Sequence, residues 1–219
     1  MKFVHILVER QTEETFVREV LQPHLRAVGI HLEPKLVTTK RLRGASHYKG
    51  GIVSYDKVRF DIRQLLRDTS ATLVTTMIDF YGLAGKGFPG WAEMRGSCYE
   101  RVEQVEIAFR TDIGHPRFHP YLALHEYEAL LLCQPTKIVE VRPGASAEAA
   151  RKLAQIRQEH DSPEEINLDN PPSHRIAEIM PGYRKGLDGV LIALDIGLAA
   201  MREQCTHFNQ WLTMLESLP

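Results

Sequence analysis

The stretch Phe3-Val4-His5-Ile6-Leu7-Val8-Glu9 decides the fold of this chain, because a nearly apolar run ends on a carboxylate. A second stretch of the same kind is Thr72-Leu73-Val74-Thr75-Thr76-Met77-Ile78-Asp79. Short apolar runs with many β-branched residues are typical of strands that are buried in a parallel sheet. We therefore predict two such strands, each of which delivers one acidic side chain at its carboxyl end.

Helical spacing of apolar residues follows these runs. It predicts helices over 11–28, 55–66 and 98–109, with further strands at 30–38 and 118–124. The alternation of strand and helix predicts an α/β fold, with a mainly parallel, Rossmann-like sheet flanked by helices over residues 1–135. Residues 136–219 are predicted to form a helical C-terminal extension packed on that core. Its predicted helices are 147–160, 173–180, 187–193 and 208–215.

The bulk composition is that of an ordinary globular protein. The 219 residues are 43% hydrophobic and 25% charged, with a net charge of −1. This balance gives no global basic signature of a dedicated nucleic-acid binder. No run is long enough to span a membrane and no signal peptide is evident, so we expect a cytoplasmic protein. Three cysteines without a CxxC pair argue against a disulfide framework and against a thiolate zinc site.

The carboxylates at the strand ends are the first candidate site. Ligands of open parallel sheets bind at the carboxyl ends of the strands, which is where Glu9 and Asp79 are predicted to lie. Mg²⁺ or Mn²⁺ prefers oxygen ligands and needs only one or two protein carboxylates. The structural alternative is that both residues only solvate strand ends, and spacing alone slightly favours it.

Three further glutamates are weaker candidates as metal ligands. Glu126 and Glu128 belong to His125-Glu126-Tyr127-Glu128 and follow the strand predicted at 118–124. Glu13 lies about one helical turn after Glu9. In each case the alternative is an acidic residue that stabilises a helix N-terminus.

Basic residues form two sets that are candidates for contacts with nucleic-acid phosphates. The alternative is a solvated loop, which is the commoner case. In addition, Lys185 follows a Pro-Gly turn and is a candidate for stabilising charge on a phosphoryl group. Phe80, Tyr81, Phe88 and Trp91 either stack on a base or form the small core of their loop. The basic residues of the two sets are Lys40, Arg41, Arg43 and Lys49, and Arg175 and Arg184.

Several motifs together resemble a bacterial family of domains of unknown function, the one numbered 4276. Each motif is unspecific alone, but they extend over nearly the whole chain. They are Val8-Glu9-x-x-Thr12-Glu13-x-x-Phe16, Met77-Ile78-Asp79-Phe80-Tyr81-Gly82, His125-Glu126-Tyr127-Glu128-Ala129-Leu130-Leu131, Ser162-Pro163-Glu164-Glu165-Ile166-Asn167, Pro172-Ser173-x-Arg175-Ile176 and Gly182-Tyr183-x-Lys185.

That family in turn is similar to Toprim domains, the catalytic fold of topoisomerases, primases and the overcoming-lysogenization-defect nucleases. The resemblance implies that Glu9 matches the Glu after the first strand and Asp79 the first Asp of the DxD motif that binds Mg²⁺. Two positions depart from the pattern. Tyr81 stands where the second Asp is expected, and Arg10 where relatives often have Gly. Glu126 and Glu128 are candidates to replace the lost carboxylate.

The function expected from these residues and from the resemblance is a Mg²⁺-dependent, Toprim-type nuclease of an anti-phage system. Its catalytic residues would be Glu9, Asp79 and Lys185, its substrate a nucleic acid, and its partner an ATPase of the AAA or ABC type. A non-catalytic subunit that binds the ATPase or a phage component is the main alternative, and the missing second Asp favours it. A phosphohydrolase of small molecules is the third, and oligomerisation is left open.

Overall fold

The computed structural model describes residues 1–38, 52, 54–124, 126–142, 146–166 and 170–219. Within these ranges the predicted α/β architecture is confirmed, as a mostly parallel sheet of five strands flanked by helices. The strands are β1 Lys2–Val8, β2 Ile30–Leu36, β3 Leu73–Asp79, β4 Phe118–His119 and β5 Leu122–Ala123.

The sheet order is β2-β1-β3, with β4 and β5 both paired to the far side of β3. Every pair is parallel, so all carboxyl ends meet at one edge. β3 is buried along its whole length, whereas β2 alternates between buried and partly exposed residues. β2 also contains Pro34, which cannot donate to a ladder and is therefore tolerated at the sheet border.

Alternate residues of the central strands supply two separate cores. Val4, Ile6 and Val8 face a core shared with the first helical segment and with the C-terminal helices. Leu7 and Val74 face the opposite core, which is closed by the helices α3 Tyr55–Leu65 and α4 Cys98–Ile113. This alternation follows from the period of two in a strand, and it places helices on both faces of the sheet.

The helices carry most of the remaining described residues. α1 Gln11–Phe16 continues through the π turn Val17–Leu21 into α2 Gln22–Ala27. In this turn the amide of Gln22 bonds the carbonyl of Val17, and the next residue, Pro23, has no amide hydrogen to donate. The other helices are α3 Tyr55–Leu65, α4 Cys98–Ile113, α5 Pro135–Glu140, α6 Ala147–Gln158, α7 Pro172–Ile179, α8 Lys185–Gln204 and α9 Thr206–Glu216.

The strand predicted at 118–124 is two short pieces, because Pro120 lacks an amide hydrogen and interrupts the ladder. The Thr76 hydroxyl fills the gap: it donates to the carbonyl of Tyr121 (2.8 Å) and accepts from its amide (2.9 Å). After β5 the chain forms a 3₁₀ helix, Tyr127–Cys133. His125 itself lies outside the described residues.

The C-terminal segment packs directly on the sheet. The indole Nε1 of Trp211 in α9 donates to the Thr75 hydroxyl of β3 (3.0 Å), and Phe208 lies in the core that contains Val4. The C-terminal segment also contains the longest described helix. The helix predicted at 187–193 is part of this twenty-residue α8, which bends at Gly197. A division of the chain at residue 135 stays a prediction, since the two segments share this core. No described helix is long and apolar enough to cross a membrane.

Candidate functional site

The two carboxylates predicted from the strand ends lie at one edge of the sheet. Glu9 directly follows β1 and Asp79 is the last residue of β3, and these strands are neighbours with Val8 opposite Met77. Both side chains are buried. The loop after β3 passes over Glu9 at Gly82, where a Cβ would lie 3.9 Å from the Glu9 Oε2. The backbone at Gly82 thus lies close to the Glu9 carboxylate.

Glu126 reaches the same edge through β5, whose residue Ala123 lies opposite Asp79. Its carboxylate is fixed by two donors: the Tyr81 hydroxyl (2.7 Å) to Oε1 and the Ser173 amide (2.9 Å) to Oε2. Burial alone would raise the pKa of Glu126, but the Lys185 charge and the bonds from Ser173 hold it below the usual value. Glu126 is therefore ionised at neutral pH.

Glu128 is fully buried and depends on one cation. The Lys185 ammonium lies 2.7 Å from its Oε2, and 3.9 Å from the Glu126 Oε1. Burial raises the pKa of Glu128 to about 7, against the attraction of Lys185. The pKa of Lys185 is raised, because the surrounding carboxylates outweigh the effect of its burial. A pKa in this range allows Glu128 to gain or lose a proton near neutral pH.

Glu13 projects from the first turn of α1 into the same group. It is buried, and neither carboxylate oxygen has a hydrogen-bond partner among the described residues. Burial raises its pKa, as does the repulsion of Glu9, and Lys185 opposes the shift. Burial also raises the pKa of Asp79 well above its usual value, with added repulsion from Glu13 and Glu9. The mutual effects show that these carboxylates lie within electrostatic reach of one another.

The five acidic residues described so far form one group, which we call the carboxylate cluster. Their number exceeds the number of cations beside them. The cations that the described residues place beside the cluster are Lys185 and Arg10, whose Nη2 lies 3.1 Å from the Glu9 Oε1. Charge buried in this way must be neutralised by protons or by a bound cation. The members are Glu9, Glu13, Asp79, Glu126 and Glu128.

A divalent ion fits the chemistry of this cluster, since Glu9, Asp79 and Glu13 offer buried oxygens that no described residue hydrogen-bonds. In the part of the chain that the structure describes, no three His, Cys, Asp or Glu side chains are grouped so as to hold one ion. A site built from these rotamers would therefore use at most two protein carboxylates. Mg²⁺ accepts such a site because it keeps several waters.

Arg10 is the site residue that the sequence analysis did not assign. Its position immediately after Glu9 was the only signal that could have identified it. Its side chain is 34% exposed and lies between the cluster and solvent. The cluster carboxylates and Tyr81 raise its pKa, although its burial acts in the opposite direction.

Only two of the predicted phosphate contacts, Arg175 and Arg184, belong to the described residues, and both bind groups outside the cluster. The set Lys40, Arg41, Arg43 and Lys49 lies outside the described residues. Arg184 pairs with Asp188 (2.9 Å), and the Arg175 Nε donates to the carbonyl of Asn170 (2.7 Å). A nucleic-acid role for either set stays a prediction.

The aromatic residues of the loop after β3 serve mainly as core. Phe80 and Phe88 are buried, and Trp91 packs beside them. Tyr81 is half-buried and bonds Glu126, so its hydroxyl belongs to the site. Phe80 and Phe88 thus belong to the core that contains Leu7 and Val74, and the interpretation of a separate small core of the loop is wrong.

A cleft of about 1150 Å³ lies apart from the carboxylate cluster, between α4 and α9. Tyr121, Trp211 and His119 line it, and so does the ion pair of His207 with Glu106 (3.1 Å). No cluster carboxylate lines it. We place the chemistry at the cluster, because charge that is buried without full compensation is a stronger sign of function than volume.

Comparison with known proteins gives one match. Residues 8–216 match the family described as a domain of unknown function (DUF4276). No curated protein and no solved structure matches the chain. The match includes every residue of the carboxylate cluster together with Arg10 and Lys185. The chain therefore belongs to the DUF4276 family.

Proposed function

We propose that this protein is a Mg²⁺- or Mn²⁺-dependent nuclease of Toprim type that cleaves phosphodiester bonds. The observation that supports the proposal is the buried cluster at the strand ends, where four carboxylates have an oxygen without a hydrogen-bond partner among the described residues. Glu9 and Asp79 would hold the ion, and Glu126, Glu128 and Glu13 are further candidates. When bound, the ion supplies a Lewis acid for the phosphoryl oxygens.

Other residues of the site would position the glutamates and transfer protons. Tyr81 and the Ser173 amide orient Glu126, while the ammonium of Lys185 keeps Glu128 and Glu126 from repelling each other. A contact of Lys185 with the substrate phosphate remains part of the proposal. Glu128, whose pKa burial raises to about 7, is the group best suited to receive a proton near neutral pH.

The first test is metal binding by calorimetry, with nuclease activity measured in parallel. We expect the wild type to bind Mn²⁺ and to cleave nucleic acid, and Glu9→Gln and Asp79→Asn to lose both while remaining folded. Glu14→Gln is the matched control. Glu14 neighbours Glu13 in the first turn of α1, but it is partly exposed and pairs with Arg18 (3.1 Å). Full cleavage by both site variants would refute the assignment.

A non-catalytic subunit is the second candidate, and Tyr81 favours it. Where the Toprim pattern has a second Asp, this chain has Tyr81, whose hydroxyl donates a hydrogen bond to Glu126. Such a subunit would use the same scaffold to bind an ATPase or a phage component, as part of an anti-phage system. Wild-type protein that binds neither Mg²⁺ nor Mn²⁺ would favour this candidate. A panel of nucleotide substrates would expose a phosphohydrolase of small molecules.

A further inference from the structure

Two cations accompany the carboxylate cluster, and they differ in what they can reach. The Lys185 ammonium lies 2.7 Å from the buried Glu128, and its side chain is 26% exposed. Arg10 is more open, at 34%, and has one contact with Glu9 at 3.1 Å through Nη2. Within the described ranges no hydrogen bond from its Nε or Nη1 is recorded. Arg10 therefore has donors left for a ligand that approaches from solvent.

The chemistry of the guanidinium matches a phosphodiester. Arginine stays charged at all physiological pH values and presents its donors as a planar fork that fits two phosphate oxygens. A phosphate next to Arg10 would lie directly beside Glu9, at the carboxyl end of β1. This is where the proposed function requires the bond to be cleaved.

We propose that Arg10 is the residue that binds the substrate phosphate next to the carboxylate cluster. The inference deepens the proposed function and rests on it. In the absence of substrate, Glu9 holds the guanidinium at the border of the site. A phosphate would take up the donors that Glu9 leaves free, so Arg10 would contribute chiefly to substrate binding.

The variants for the test are Arg10→Gln and Arg10→Lys, with Arg18→Gln as matched control. Arg18 lies in the helical segment that follows Arg10 and pairs with Glu14 at the same distance, 3.1 Å, but it is 48% exposed and forms no ion pair with a described residue of the cluster. A fluorescein-labelled oligonucleotide, in a DNA and an RNA version, serves as the probe. Binding is followed by anisotropy over a salt series, and cleavage is measured at saturating Mn²⁺.

We expect Arg10→Gln to raise KM about tenfold with a smaller change in kcat, and to lower the salt dependence of binding by about one released counterion. Arg10→Lys should keep part of the affinity, since the charge remains and the fork is lost. Arg18→Gln should behave as wild type. A KM and a salt slope for Arg10→Gln equal to those of Arg18→Gln would overturn the inference.

Failure of this inference is distinguishable from failure of the proposed function. Wild-type cleavage with an unaffected Arg10→Gln variant refutes the role of Arg10 alone. A wild type that binds the oligonucleotide without cleaving it refutes the nuclease, and the anisotropy series still decides whether Arg10 contacts phosphate. A wild type that neither binds nor cleaves overturns both.

Discussion

The ammonium nitrogen of Lys185 lies 2.7 Å from the Oε2 of Glu128, a carboxylate without solvent exposure. Lys185 begins α8, whereas Glu128 belongs to the 3₁₀ helix after β5. The C-terminal segment therefore supplies a cation that the strand ends need. Removal of one member of such a pair leaves a buried charge uncompensated, which gives a first prediction.

Lys185→Met should lower the free energy of unfolding by about 2–3 kcal/mol at pH 8, below the full value for a buried pair because Lys185 is partly exposed. Urea denaturation in the presence of a chelator measures this. The double variant Lys185→Met with Glu128→Gln should lose less than the single Lys185 variant, because no charge is then left alone. Additivity of the two single effects would contradict the coupling.

Glu128 should also make stability depend on pH. Its pKa rises from 4.5 in the unfolded chain to about 7 in the fold, so the folded protein binds more protons in between. The stability that the bound proton provides is present below pH 4.5 and is lost as the pH rises towards 7, by up to about 3 kcal/mol. Glu128→Gln should flatten this part of the profile. Urea titrations at pH 5, 6 and 7 compare the two slopes, and parallel slopes would disprove the shift.

Asp79→Asn should stabilise the metal-free protein. Asp79 is buried among like charges, so its replacement by a neutral amide removes repulsion, on the order of 1 kcal/mol. Thermal denaturation in chelator at pH 8 measures the gain. Added Mg²⁺ should then raise the Tm of the wild type and leave that of the variant unchanged, because only the wild type binds the ion. An equal rise in both proteins would remove Asp79 from the site.

Tyr81→Phe should cost about 1–2 kcal/mol, since it removes a hydrogen bond to the ionised Glu126. Tyr183→Phe is the matched control. The Tyr183 hydroxyl is buried as well, but it has no hydrogen-bond partner among the described residues. Its removal should be neutral or stabilising. Equal losses for both variants in urea denaturation would show that the Tyr81 bond contributes nothing specific.

Gly90→Ala should destabilise more than Gly87→Ala, although both glycines have a φ of +77°. The strain of a left-handed residue is therefore common to the two variants. At Gly90 a Cβ would also lie 2.8 Å from the Cβ of Ala108, while at Gly87 it would meet nothing within 4 Å. We expect a difference of about 1–3 kcal/mol in chemical denaturation. Indistinguishable variants would mean that the loop moves away from α4 at no cost.

The sequence by itself predicts the alternation of strands and helices over residues 1–124 and places Glu9 and Asp79 at the carboxyl ends of two strands, whereas α5 Pro135–Glu140 was not predicted. Apolar runs and helical spacing are local properties, and parallel strands necessarily bring their carboxyl ends to one edge. This geometry alone predicts that Glu9 and Asp79 lie close together. The prediction of a single strand at 118–124 is wrong, because Pro120 interrupts the ladder.

Only the tertiary structure decided the neighbours and the charge states of the cluster. Glu13 could equally have been a solvated residue at a helix start, and its burial depends on how α1 packs over the sheet. The contact of Lys185 with Glu128 joins residues far apart in the chain, and no spacing rule relates them. In the sequence, Arg10 is only a position at which the chain departs from the family pattern. In the fold its guanidinium is partly exposed and lies next to a buried carboxylate. Neither burial nor the distance between side chains can be read from a linear sequence.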